Sequence, residues 1–125
     1  MLDMIREVLA EDRDPVPSPK ELGALLERAE TALATQRMLH ARLEGQRRGV
    51  LLDGDDRDLA SHDEHMLAVQ RQIERLDAGM ERVEGKIEEA LQAEAKARSE
   101  ALVEEGREAL DRYWSNLERY GVLAE

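Results

Sequence analysis

The chain has 125 residues, a formal net charge of −11 and no cysteine. The absence of thiols excludes disulfide bonds and thiolate chemistry, and the negative charge argues against direct binding to nucleic acid or an anionic membrane. Charged residues make up 38% of the chain and aromatic residues only 2%, which is typical of coiled coils. The composition therefore favours an acidic, all-α protein with a thin core.

The N-terminal region predicts a short helix over residues 1–12 and a Pro-rich connector over residues 13–18. Each proline of the connector fixes its own φ angle and keeps the preceding residue out of the helical region. Asp3 and Glu7 in the N-terminal helix argue against a signal peptide, and no apolar run approaches the ~20 residues of a membrane span. The apolar side of this helix consists of Leu2, Ile5, Val8 and Leu9.

The first long helix, or first arm, is predicted over residues 19–52. A capping box over residues 18–21 places Pro19 at the first helical position. A turn is predicted at residues 53–56, where Gly54 can take the left-handed conformation and Asp55 or Asp56 can cap the next helix. The seam of this arm, at steps of three and four, is Leu22, Leu26, Ala29, Leu33, Gln36, His40, Leu43, Arg47 and Val50.

The second arm is predicted over residues 57–120. Its seam residues recur every seven positions, and a second seam residue follows each of them after three positions. This is the a/d pattern of a coiled coil. If the arms fold back on each other, residues whose numbers add up to 109 face each other, as Leu33 and Leu76 do. The sequence therefore predicts a long antiparallel coiled-coil helical hairpin. The seam of the second arm is Leu59, His62, Met66, Val69, Ile73, Leu76, Met80, Val83, Ile87 and Ala90.

An apolar cluster near the C-terminus contains all the aromatic residues of the chain. In one interpretation, the short N-terminal helix folds back over this face and forms a small three-helix core at the base of the hairpin. In the other, the face binds a protein partner, because aromatic residues are favoured binding anchors. The candidate partner-binding residues are Leu110, Tyr113, Trp114, Leu117 and Tyr120.

The turn between the arms is acidic, and its candidate site residues are Asp53, Asp55, Asp56 and Asp58. Helix capping and favourable interaction with the helix dipole explain most of these carboxylates. The spacing does not make an EF-hand loop, because Arg57 stands at a ligand position and Asp58 replaces the required glycine. A hairpin with an acidic tip resembles the Gre factors and DksA, and this resemblance implies insertion of the tip into the secondary channel of RNA polymerase.

Other candidate chemistry has structural explanations. His62 and His65 have a spacing that can chelate a metal, but the pairing rule places the seam residue His62 against Arg47. Seam polar residues of this kind usually fix the register. The serines lack a histidine and carboxylate set, and a hairpin offers no enclosed pocket. We therefore predict no enzyme activity, no catalytic residue, no bound metal and no cofactor.

The segment Arg47-Arg48-Gly49-Val50-Leu51-Leu52-Asp53-Gly54-Asp55-Asp56 leads to Arg71-Gln72-Ile73-Glu74-Arg75-Leu76. This pattern resembles small coiled-coil proteins of alphaproteobacterial tailed phages and prophages, over about residues 40–95. The resemblance implies a non-enzymatic part in virion structure or assembly, and it identifies no active residues.

The leading hypothesis is therefore a structural or assembly protein of phage virion morphogenesis that acts through helix–helix association. Its expected partners are phage structural proteins or a second copy of the chain, in the bacterial cytoplasm or the virion. The alternative is an acidic inhibitor or regulator of a host nucleic-acid enzyme. Such a protein would act as a nucleic-acid mimic or through an acidic tip inserted into RNA polymerase.

Overall fold

The computed structural model describes residues 1–10 and 16–121, and these residues form three helices and no strand. The helices are α1 (Leu2–Leu9), α2 (Pro19–Asp53) and α3 (Asp56–Arg119). The prediction of an all-α fold is confirmed. The chain divides into two units, unit 1 (Met1–Glu88) and unit 2 (Glu89–Glu125).

Helix α1 is shorter than the predicted helix over residues 1–12. Its C-cap residue, Ala10, is extended, with φ −60° and ψ 128°, so the helix ends at Leu9. Residues 11–15, which include the end of the predicted helix and the first half of the predicted connector, lie outside the described residues.

The start of α2 is set by the predicted capping residues. The backbone N–H of Glu21 donates a hydrogen bond to the Ser18 hydroxyl oxygen over 3.2 Å, and Pro19 opens the helix. Serine at this position satisfies one of the backbone N–H groups that a helix start leaves unpaired, and proline there gives up no helical hydrogen bond. The predicted start at residue 19 is confirmed.

The turn between α2 and α3 also follows local hydrogen bonding, although one prediction about it is wrong. Gly54 has φ −89°, so it is not left-handed. Glycine is needed there for another reason, because a Cβ atom at Gly54 would lie 2.8 Å from the carbonyl oxygen of Val50. The Gly54 N–H donates to that same oxygen and closes the last turn of α2.

Three polar contacts show that α2 and the part of α3 in unit 1 run in opposite directions. Arg47 pairs with Asp63 over 3.1 Å, Arg37 pairs with Asp77 over 3.6 Å, and the His62 ring lies 2.8 Å from the carbonyl oxygen of Leu43. The numbers of these pairs add up to 110, 114 and 105, which bracket the predicted value. The layer-by-layer coiled-coil register stays a prediction. His62 and Arg47 were expected to face each other. In the structure the His62 ring contacts the Leu43 carbonyl oxygen, and Arg47 pairs with Asp63.

The core of unit 1 lies where α1 joins the hairpin. The buried cluster contains residues of all three helices, and most of its α2 and α3 members belong to the predicted seam. Leu25 lies outside the seam and is buried in the same cluster as Ile5 of α1. The buried members are Ile5, Leu22, Leu25, Ala29, Leu33, Leu76 and Val83.

Helix α1 packs on the buried cluster of unit 1, near the base of the hairpin. Leu2, Val8 and Leu9 surround the buried cluster and occupy the apolar side of α1. The predicted core that α1 would form with the aromatic face, which belongs to unit 2, stays a prediction. The approach of α1 is close at Gly79, since a Cβ atom there would lie 3.0 Å from Ile5 Cγ2.

Candidate functional site

Unit 2 presents a continuous row of apolar residues on its helix. These residues are spaced alternately by three and four positions, so they share one face. We call this row the C-terminal stripe, and Leu102 and Trp114 flank it. The stripe consists of Val103, Gly106, Leu110, Tyr113, Leu117 and Tyr120.

The stripe is exposed. Trp114 retains 47% of its accessible surface, Tyr113 58% and Tyr120 78%, and every described side chain of unit 2 from residue 91 onward is exposed except Leu117, which is half-buried. Scattered exposed apolar residues are normal on a protein surface, but a contiguous apolar patch commonly marks an interaction site. The exposure therefore supports a binding surface at this face.

Two aromatic side chains of the stripe region are ordered against each other. The ring centroids of Tyr113 and Trp114 lie 5.8 Å apart with an angle of 71° between their planes. This edge-on arrangement is favourable for aromatic pairs. The two rings present adjacent large, amphipathic surfaces, and such side chains lose little conformational entropy when a partner covers them.

The end of the helix adds local order near Tyr120. The Tyr120 N–H donates to the carbonyl oxygen of Asn116, and the Gly121 N–H donates to that of Glu118, each over 3.1 Å. Gly121 has φ 71°, the left-handed conformation that commonly ends a helix. The stripe therefore runs to the last turn of α3, and residues 122–125 lie outside the described part of the chain.

The acidic tip is built mainly as a turn. The Asp58 N–H donates to an Asp55 carboxylate oxygen over 2.8 Å, and the Asp55 N–H donates to an Asp58 carboxylate oxygen over 3.2 Å. This reciprocal pair is a capping box that opens α3. Asp53 ends α2 and Asp56 begins α3, and all four side chains are exposed.

Two of the three histidines, His40 and His62, make contacts within unit 1. The His62 ring nitrogen lies 2.8 Å from the Leu43 carbonyl oxygen, and His40 lies 3.8 Å from the Glu44 carboxylate. Within residues 1–10 and 16–121, no group of three or more potential ligand side chains is arranged to hold a metal. In the same residues, no helix combines the length and apolar character needed to cross a membrane.

Sequence reasoning found the aromatic part of this face but missed its extension toward the N-terminus of unit 2. Leu102 and Val103 are more than half exposed and continue the spacing of Leu110. The sequence contains a signal for this extension, since Val103, Leu110 and Leu117 recur every seven residues. Leu51 and Leu52, next to the acidic tip, are also exposed and were not assigned a role.

Comparisons with protein-family models, with curated proteins and with solved structures found no match to this chain. The assignment of a function therefore depends on the physical properties of the surfaces described above.

Proposed function

We propose that this chain is a non-enzymatic structural or assembly protein that acts through helix–helix association. The observation that carries the proposal is the exposed C-terminal stripe on a helical segment whose side chains are almost all exposed. Isolated helices in water are marginal, and most helical stability in proteins comes from packing of an apolar face. A helix with an uncovered apolar face gains stability when a partner covers that face.

The chemistry around the stripe favours a protein partner. Glu104, Glu105 and Glu108 lie on the same helical segment, and their carboxylates repel the phosphates of nucleic acids and of anionic lipids. Aromatic and leucine side chains surrounded by charged residues are the usual composition of a protein interface with an apolar centre and a polar rim. The proposed partner therefore presents an apolar helical surface.

We place this association in phage virion morphogenesis, in the cytoplasm of a bacterial host and in the virion. Support for this setting comes from the resemblance of residues 47–56 and 71–76 to coiled-coil proteins of tailed phages. In this setting unit 1 supplies a stable folded body, because its buried core draws on three helices.

A second candidate function is regulation of a host nucleic-acid enzyme through the acidic tip. The exposed carboxylates of Asp53 and Asp56 lie beside the capping box of Asp55 and Asp58, and they favour contact with a basic surface. The acidic tip has few carboxylates, and a small group of carboxylates gives a weaker field than a continuous acidic face. The stripe therefore supports the structural function better.

The test is affinity purification of the tagged chain from host cells, with mass spectrometry of the proteins that remain bound. Recovery of capsid or tail proteins would support the structural function, whereas a polymerase or a nuclease would favour the regulatory alternative. The double variant Tyr113→Ala, Trp114→Ala should lose the partner. The control variants Met38→Ala and Leu91→Ala remove exposed apolar side chains outside the stripe and should retain it.

A further inference from the structure

The C-terminal stripe has the spacing of a coiled-coil seam. Val103, Leu110 and Leu117 recur every seven residues, and Gly106, Tyr113 and Tyr120 follow each of them by three. A heptad pattern favours another helix as the partner, because side chains from one helix insert between four side chains of the other. The stripe is therefore shaped for one long helix and not for a flat or concave surface.

We infer that the partner of the C-terminal stripe is the same stripe of a second copy of the chain, in antiparallel orientation. This inference deepens the proposed function and rests on it, since it names the partner of the same surface. A two-fold axis between Asp111 and Arg112 brings together residues of the two copies whose numbers add up to 223. Such an interface is self-complementary, as a two-fold dimer requires.

The sizes of the side chains favour the antiparallel orientation. In this register Gly106 of one copy faces Leu117 of the other, and Leu110 faces Tyr113, so each layer combines a smaller with a larger residue. A parallel dimer would place Gly106 against Gly106 and Tyr113 against Tyr113. It would thus leave a gap in one layer and crowd the next, and both faults are costly in a closely packed interface.

The flanking residues favour the same orientation. The antiparallel register places Arg107 of one copy beside Trp114 of the other, at the flanking positions that face each other in such dimers. An arginine over the face of a tryptophan makes a favourable cation–π contact. Because the axis repeats every contact, the dimer contains this pair twice.

The charges along the segment agree with this orientation. Residues 100–108 carry four glutamates and one arginine, whereas residues 111–119 carry two acidic and two basic side chains. An antiparallel dimer places the negative half of each copy beside the neutral half of the other. A parallel dimer would align the two negative halves, and like charges across an interface oppose association.

The area available is adequate for a dimer. Seven large apolar side chains belong to the stripe or flank it, and six of them are about half exposed or more. If each of those six loses up to about 100 Å², roughly half of what an aromatic residue buries in full, each copy buries up to roughly 600 Å². A standard stable interface buries ~800 Å² per partner, so the stripe alone approaches that size.

The first measurement is sedimentation equilibrium of the purified chain over a range of concentrations. We expect a reversible dimer, and we expect Tyr113→Ala, Trp114→Ala to raise the dissociation constant more than about a hundredfold. Leu91→Ala should leave the dissociation constant unchanged. A monomer at all concentrations, or a trimer or tetramer, would overturn the inference.

The second measurement determines the orientation of the two helices in the dimer by disulfide formation. The chain has no native cysteine, so only the introduced cysteines can form disulfides. Gly106→Cys and Leu117→Cys chains should form a crosslinked pair when mixed, because these positions face each other. Neither variant should crosslink with itself, since identical positions would lie eleven residues apart, about 16 Å along the helix. Self-crosslinking of either variant would establish a parallel dimer and contradict the inference.

The two proposals fail in different ways. If the chain is monomeric but the stripe variant loses a capsid or tail protein in the purification experiment, the proposed function stands and the second copy is excluded as the partner. If the stripe variant still dimerises and still retains its partners, the stripe is not an interface and both proposals are wrong.

Discussion

Ile5 of α1 packs directly against Gly79 of α3, so closely that a Cβ atom at Gly79 would lie 3.0 Å from Ile5 Cγ2. Gly79 is buried although it has no side chain, and Ile5 retains only 2% of its accessible surface. A glycine in the middle of a helix costs up to about 1 kcal/mol of stability relative to alanine. At this position that cost is offset by the close approach of α1.

The contact between Ile5 and Gly79 predicts a difference between two similar substitutions. Gly85→Ala should stabilise the protein by about 0.5–1 kcal/mol, because alanine favours the helix and nothing lies within 4 Å of the added Cβ. Gly79→Ala should stabilise the protein less than Gly85→Ala, or should destabilise it, because Ile5 must move to make room for the added Cβ atom. Urea denaturation of both variants measures the difference. Equal effects of the two substitutions would show that α1 does not pack closely on Gly79.

The register of the hairpin predicts disulfide formation within one chain. Cysteines at Leu33 and Leu76 should form an intramolecular disulfide, because both positions are buried in the same cluster and face each other under the pairing rule. The Leu43 and Met66 pair should behave likewise, within the geometric limits of disulfides. Electrophoresis without reducing agent detects the product. Crosslinks between chains alone would indicate that α2 and α3 do not fold back within one molecule.

The capping box at the tip predicts that two neighbouring aspartates differ in their effect on stability. Asp55→Ala should destabilise unit 1 by about 1 kcal/mol, because the Asp55 carboxylate accepts the Asp58 N–H at the start of α3. Asp53→Ala should be neutral or slightly stabilising, since a negative charge at the end of α2 opposes the helix dipole. Urea denaturation tests both, and equal losses would argue against the capping role.

Asparagine substitutions at the tip separate charge from capping. Replacing Asp53, Asp55, Asp56 and Asp58 together by asparagine keeps the capping oxygens and removes the charges. We expect a loss of roughly 1 kcal/mol or less for each dipole interaction, with partner binding unchanged. Loss of binding by a fully helical variant would favour the regulatory alternative over the structural function.

The stability of unit 1 should not depend on the aromatic residues of the stripe. Tyr113→Ala, Trp114→Ala should leave the thermal transition of unit 1 unchanged, because neither residue belongs to its buried cluster. The matched variant Ile5→Ala should lower that transition, since truncation of a buried isoleucine typically costs 2–5 kcal/mol. Calorimetry at one low protein concentration, where any dimer dissociates, makes the comparison. A large destabilisation by the aromatic variant would mean that these residues support the fold.

The sequence predicted the long helices well because the signals that define them are local. Ser18 and Glu21 lie three residues apart, as do Asp55 and Asp58, and each pair fixes a helix start through its own hydrogen bonds. The periodic apolar positions then identified which face becomes buried. Leu22, Leu33 and Val83 were predicted on the seam and are buried.

The placement of α1 was harder to predict because it depends on contacts distant in sequence. No local pattern connects Ile5 with Gly79. From the sequence alone, a glycine within a helix indicates only a position of lower helix stability. Leu25 was missed because it lies outside the seam, although it is buried in the same cluster as Ile5. The exposed Val103 was missed because the first seam fades before the second heptad pattern begins.

Apolar burial along the hairpin is uneven, and this has a consequence for its motion. The buried cluster that includes α1 extends along α2 as far as Leu33 and starts on α3 at Leu76. Between these residues and Gly54, only Leu43 and Val69 are buried hydrophobic residues, and Leu52 is exposed. Local opening requires less energy where fewer apolar contacts are broken. Amide hydrogens close to Gly54 should therefore exchange with solvent faster than those beside Ala29, so that the hairpin opens from its acidic end while its base stays closed.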